Sequence, residues 1–293
     1  MSFQKKSIIR TDRDERQGSD VESPAQEHGS KGRRIAFRVW AGLTGLWFLA
    51  LYGIASLELV VMWLPGDTIL SLVGEGPALL THRTHFLIVG ILSLAFLLVM
   101  FAQLRKPERR IAQMIQLVVM VVGACIVYAF SGTLEEWLLE EGTVLFPVLV
   151  LVLLHPNASD LIRKPSFDRG MSVLAGLAAV PWAVYAVDNA RLQLLNAGGD
   201  THAEMEHWAT AALLGITVVA CGFIGSSDHR GWRLPAWIAS GASVTLGIHS
   251  LAFPDVVSAL TPLWAVLAIV WGVVFGVALV RRSRSAGPVV DVV

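Results

Sequence analysis

Eight stretches of this chain are apolar, most of them for about as long as a helix needs to cross a lipid bilayer. They fall at 36–63, 85–104, 111–130, 143–155, 171–189, 207–225, 235–252 and 260–280. A hydrocarbon core of roughly 30 Å takes about 20 mostly apolar helical residues per crossing. In lipid every backbone amide must be paired, so long apolar runs without strict alternation fold as helices. The expected fold class is all-α: a polytopic integral membrane protein of about eight transmembrane helices. The fourth run is the weakest, because its clean apolar part, Val144 to Leu154, is short. Trp137 to Leu139 can extend it, or it can enter the membrane at a slant.

Composition argues against a soluble alternative. Of the 293 residues, 54% are hydrophobic and only 16% charged, with a mean hydropathy of +0.61. The formal net charge is zero, which leaves no electrostatic argument for nucleic acid. The placement of charge is more informative. With the N-terminus in the cytoplasm, 21 of the 23 Lys and Arg residues fall in inner segments, and only Arg83 and Arg191 lie outside. Basic residues stay on the cytoplasmic side, so the expectation is a plasma-membrane protein with both termini inside. Residues 1–34 are polar and mixed in charge, which suits a disordered cytoplasmic tail. A transmembrane helical domain at 35–282 follows, then a short cytoplasmic tail at 283–293. Cys125 and Cys221 sit in apolar runs and read as small packing residues rather than a disulfide framework.

The second half echoes the first. Ala175-Gly-Leu177 matches Ala41-Gly-Leu43, and Trp182 follows at nearly the spacing of Trp47. A different register pairs His82 with His207, since Gly90 and Gly215 each follow eight residues later. These echoes suggest two parallel four-helix repeats, because an even number of spans preserves orientation.

A dense set of ionisable groups, Asp200-Thr-His-Ala-Glu-Met-Glu-His-Trp208, stands at the mouth of the sixth run. Ionisable groups there are functional candidates, since charge near hydrocarbon is costly. With the topology above, five of the eight histidines lie at or near the outer face: His82, His85, His202, His207 and His249. Imidazole is the commonest protein ligand for transition metals, and carboxylates orient such ligands or relay protons. His82 and His85 are three apart, as are Glu204 and His207, a spacing that puts both members of a pair on one helical face. The expected metal ligands are therefore His82, His85, His202, His207 and His249, with His85, His207 and His249 as the core set. Glu204 and Glu206 would support them or carry protons. A b-type haem held by one histidine from each of two facing helices is the alternative cofactor. The bland reading is an N-cap at Asp200-Thr201 with acidic groups in the first turn and solvated histidines.

Other chemistries lack their signatures. There is no phosphate-binding Gly-rich loop ending in Lys-Ser/Thr, no His-Glu-x-x-His helix, no Gly-x-Ser-x-Gly elbow and no Cys-x-x-Cys-His. The first functional expectation is a membrane metalloprotein with its site at the outward face. A proton-coupled transporter or channel would use the same residues as a vestibule for a small molecule or ion. A non-catalytic membrane scaffold is the third. The bilayer is the one partner common to all three.

Overall fold

The computed structural model describes residues 24–73, 77–140, 142–196 and 201–285. Its helices are α1 (Pro24–Tyr52), α2 (Glu58–Val61), α3 (Gly66–Val73), α4 (Arg83–Gln103), α5 (Ile111–Ser131), α6 (Leu134–Glu140) and α7 (Gly142–Leu154). Then follow α8 (Ala158–Leu161), α9 (Arg169–Asn196), α10 (Thr201–Glu204), α11 (His207–Ser226), α12 (Arg233–Ala252) and α13 (Pro262–Ser285). No strand occurs among the described residues, and one isolated bridge pairs Phe167 with Ser227. The protein is all-α.

Six helices are long and apolar enough to cross a membrane: Lys31–Tyr52, Leu80–Gln103, Ile111–Ser131, Arg169–Asn196, His207–Ser226 and Pro262–Ser285. The remaining two expected spans differ for separate reasons. α7 has 13 residues, about 20 Å of helix at 1.5 Å per residue. α12 has 20 residues but carries Ser240, Ser243, Thr245, His249 and Ser250, which dilute its apolar character. The first expected span, 36–63, is not continuous either. α1 stops at Tyr52, and Gly53 leads into a short 3-10 turn at Ala55–Leu57 before α2. The Ser56 hydroxyl donates to the Gly53 carbonyl at 2.7 Å, offering the backbone an alternative to the helix. At the other end α1 begins at Pro24, within the stretch expected to be a tail. Residues 1–23 and 286–293 lie outside the described residues.

α4 and α11 form the centre of the bundle, each about two-thirds buried (67%) along its apolar window. α11 packs on α9, α12, α5 and α4. α1, α9 and α13 are peripheral and turn apolar faces outward, with Leu46, Val180, Leu263 and Val270 all exposed. Val122 of α5 and Phe146 of α7 extend the same surface. Apolar area this extensive is what a bilayer covers.

The bundle has two polar ends of different character. One gathers the N-termini of α4 and α11, the C-termini of α5, α9 and α12, and five histidines, His82, His85, His202, His207 and His249. The other gathers arginines and is tied by backbone contacts. There the Arg282 guanidinium donates to Gly225 O and Ser227 O, both at 2.8 Å, and lies 3.8 Å over the Trp232 ring. Arg33 donates to Leu153 O at 2.8 Å, closing the end of α7. Arg163 pairs with Asp228 at 3.0 Å and holds its carboxyl down at about 2.

α12 and α13 pair closely. The Ser240 hydroxyl donates to Gly272 O at 2.7 Å, and a Cβ on Gly272 would come within 2.8 Å of Ser240 O. Small residues let two helix backbones approach this far. Gly272→Leu is expected to destabilise the fold by about 1–3 kcal/mol, the usual cost of overpacking. Thermal unfolding of detergent-purified protein checks this. An unchanged midpoint would mean that the α12–α13 contact does not belong to the folded core.

Candidate metal centre

Three histidines from two parts of the chain meet at the histidine end. His82 closes the 3-10 turn Pro77–His82 and caps α4, and His202 lies in α10. His207 is the first residue of α11. Ligand atoms of His82, His202 and His207 all lie within 4.8 Å of one another, so the three could hold a metal ion. The tightest contact joins Nδ1 of His82 to Nδ1 of His207 at 3.0 Å. Two nitrogens on one tetrahedral ion, each bonded at about 2.0–2.1 Å, sit about 3.3–3.4 Å apart. The observed separation is that of a hydrogen bond between the two rings, and a few tenths of an ångström of opening would bring it to the spacing of two ligands on one ion.

His207 is the hub. It is 1% exposed, and its ring touches those of His82, His85 and His202. Its Nε2 is buried with no hydrogen-bond partner among the described residues, as is Nδ1 of His85. Buried polar atoms are nearly always paired, so these are unexplained by the fold itself. His85 stacks on His207 with centroids 3.6 Å apart and planes 24° apart. It supports the face of His207 rather than bringing a nitrogen to the triad, and it lines an adjacent cavity. That cavity has a volume of about 240 Å³, and Tyr52, Tyr128, Glu206 and Thr210 also line it.

His249 lies at the same end but in different company. Its ring packs edge-on against Trp63 at 5.2 Å and beside Phe253 at 4.8 Å, and Nδ1 is 3.4 Å from the Thr84 hydroxyl. The Arg83 guanidinium sits 4.2 Å over the Phe253 ring. A fixed positive charge sharing that ring disfavours a metal cation beside His249. Among the described residues His249 makes no ring contact with another histidine, so the expected core set of His85, His207 and His249 is not brought together around one point.

The Glu204-to-His207 spacing also works out differently. α10 ends at Glu204, and Glu206 adopts a left-handed conformation (φ 54°) before α11 begins. The break swings His207 off the helical face that Glu204 would share with it, and Glu204 is exposed. Glu206 lines the cavity beside His85. The expected cap at Asp200 lies outside the described residues. The N-cap of α11 is Glu206, in the left-handed conformation.

One positioning residue went unnoticed in the sequence. Gln193 of α9 is fully buried. Its Nε2 donates to Ala203 O at 2.7 Å, and its Oε1 accepts from Ala209 N at 3.3 Å. It thus clamps α10 to α11 across the turn that carries His202 and His207. The sequence offered little signal, since Gln193 falls beyond the expected run 171–189, in the last turns of α9. Thr210 adds a second tie, donating its hydroxyl to Glu206 O at 3.0 Å.

No protein-family model matches this chain, and neither curated proteins nor solved structures give a match.

Proposed function

We propose that this chain is a multi-pass membrane protein that binds a transition-metal ion at its outward face through His82, His202 and His207. The observation that carries this is the convergence of three imidazoles, one from the turn that leads into α4 and two from the α10–α11 turn, with ligand atoms within 4.8 Å of one another. Imidazole suits zinc, copper, nickel and iron. His85 backs the site, and Glu206, at the cavity, is the group placed to exchange protons with it. His249 is left out of the ligand set because Arg83 stands beside it. An ion is favoured over haem, since rings stacked 3.6 Å apart leave no slot for a macrocycle.

In this reading α7 and α12 complete eight spans, α12 shielded within the bundle and α7 crossing a thinned bilayer. Both termini are cytoplasmic in the plasma membrane, with tails at 1–34 and 283–293 around the domain at 35–282. The pairing of His82 with His207 supports a parallel duplication. A Cβ on Gly90 would strike the Leu59 backbone, and one on Gly215 would strike the Trp182 carbonyl. Each central helix thus closes on the segment before it, at the same distance from its histidine.

The cavity between His85 and Glu206 supports a second reading, a proton-coupled transporter with these residues in its vestibule. Elemental analysis of gently purified protein separates the two. The metal reading expects about one ion per chain, restored by zinc, copper, nickel or iron after chelation. Well-folded protein that carries no metal and takes up none of these ions would overturn it. Proton-coupled uptake in proteoliposomes by such protein would establish the transporter instead, and inert protein the scaffold.

A further inference from the structure

At the end of the bundle opposite the histidines, a cavity of about 1190 Å³ opens between the α4–α5 connection and the α11–α12 connection. α4 separates the two ends by its full 21 residues, about 31 Å. Basic side chains from four parts of the chain line this cavity: Arg38 of α1, Arg105, Lys106 and Arg110 before α5, Arg230 before α12, and Arg233 within it. Among its lining residues the one carboxylate is Asp228, and both of its oxygens are already engaged by Arg163, at 3.0 and 3.3 Å. The cavity is therefore strongly electropositive.

The cavity is also chemically incomplete. Nε of Arg110 and Oε1 of Gln113 are buried without a hydrogen-bond partner among the described residues, and Gln113 is 1% exposed. A guanidinium Nε that lacks an acceptor and an amide oxygen that lacks a donor ask for a ligand with both anionic oxygens and hydroxyl groups. The walls are otherwise held firm, with Ala112 N donating to Arg230 O at 3.0 Å and Gln103 Nε2 donating to Arg110 O at 3.1 Å. On the flank, Leu104, Leu234 and Trp237 continue the lining, and Trp237 is half exposed (50%). Tryptophan in that position is an interfacial residue, with polar contacts on one side and hydrocarbon on the other.

We propose that this cavity is a binding site for the headgroup of an anionic phospholipid of the phosphatidylglycerol type. Its phosphate diester would be held by the arginines and its glycerol hydroxyls would be met by Gln113. Arginine forks match phosphate oxygens, and basic pockets at the ends of membrane helices recognise such headgroups. The acyl chains would descend past Trp237 along the apolar flank. A free phosphate would use the same arginines but would leave that flank empty. The inference rests on the membrane reading above and not on the metal, so a metal-free protein leaves it standing.

The test uses full-length protein in nanodiscs of equal phosphatidylglycerol and phosphatidylcholine, read by native mass spectrometry of the lipid that stays bound. Wild type is expected to retain phosphatidylglycerol in preference to phosphatidylcholine. The double variant Arg105→Gln/Arg230→Gln should lose roughly 30-fold in that preference, at about fivefold per basic residue removed near a lipid surface. Both arginines are exposed, so the fold should survive, and Arg191→Gln at the other end should behave as wild type. Raising the salt should weaken retention in wild type. Absence of any preference in wild type would overturn the proposal, whatever the variants do. So would equal preference in the double variant and the Arg191→Gln control. Inorganic phosphate that displaced the lipid at an equal free concentration would assign the cavity to soluble anions and refute the lipid.

Discussion

His207→Ala is expected to lower metal affinity by more than about 100-fold, beyond the 10–100-fold typical for removing a group that only supports a ligand. The His207 ring touches those of His82, His85 and His202. Its loss therefore removes a ligand and the surface on which His85 is stacked. His249→Ala and His229→Ala should leave occupancy unchanged, the first because it packs with Trp63 and Phe253, the second because it lies at the arginine end. The measurement is metal content per chain on monodisperse protein, with His207→Asn as a variant that keeps most of the volume. Occupancy in wild type should fall on acidification, since a protonated ring cannot coordinate. Full occupancy in His207→Ala would remove the proposed site. A loss in His249→Ala equal to that in His207→Ala would mean that the ligand set had been drawn too narrowly.

The second large effect is expected at a residue that would touch no metal. Gln193→Met keeps the volume but removes the clamp, leaving Ala203 O and Ala209 N without their partner. Each buried group left unpaired costs about 1–3 kcal/mol. Some of this should appear as lower thermal stability. The more specific readout is metal affinity, expected to fall by about 10–100-fold as the α10–α11 turn loosens. Gln193→Glu should rescue part of it, because the carboxylate still accepts from Ala209 N. A variant that lost stability but bound metal with unchanged affinity would reduce Gln193 to a packing residue.

What the sequence made legible was depth, and what it hid was rotation. Hydropathy placed the start of α11 at His207 and put His82, His85, His207 and His249 near one end of the bundle, because apolar runs fix where a helix begins and ends. It says nothing about which way a side chain faces around the helix axis. That angle is set by packing, and it turned His249 toward Trp63 while turning His82 toward His207. Local backbone choices were hidden for a related reason. No charged residue of the run 36–63 falls at the stop at Tyr52, since Arg38 and Glu58 lie to either side of it; the stop depends on Gly53 and on the short reach of the Ser56 hydroxyl. The helical spacing from Glu204 to His207 failed because one residue between them, Glu206, left the helix for a left-handed turn. Gln193 was passed over because it lies just beyond the run 171–189, among Asp188, Asn189, Arg191 and Asn196, where one more polar residue resembles a loop until its two partners are seen.

α7 has a further consequence. Its 13 residues span about 20 Å, against about 31 Å for the 21 residues of α4. α7 is anchored at this depth: Trp40 Nε1 donates to Pro147 O at 3.0 Å, and Arg33 holds its last carbonyls. It cannot slide to meet a thicker layer. On the proposed eight-span reading, a membrane around this protein would have to pucker on that one flank, where Val144 reaches the cavity beside His85. Lipid tail length would then act as a dial on the histidine end: short chains would relax around α7, and long chains would pull on the wall of the site.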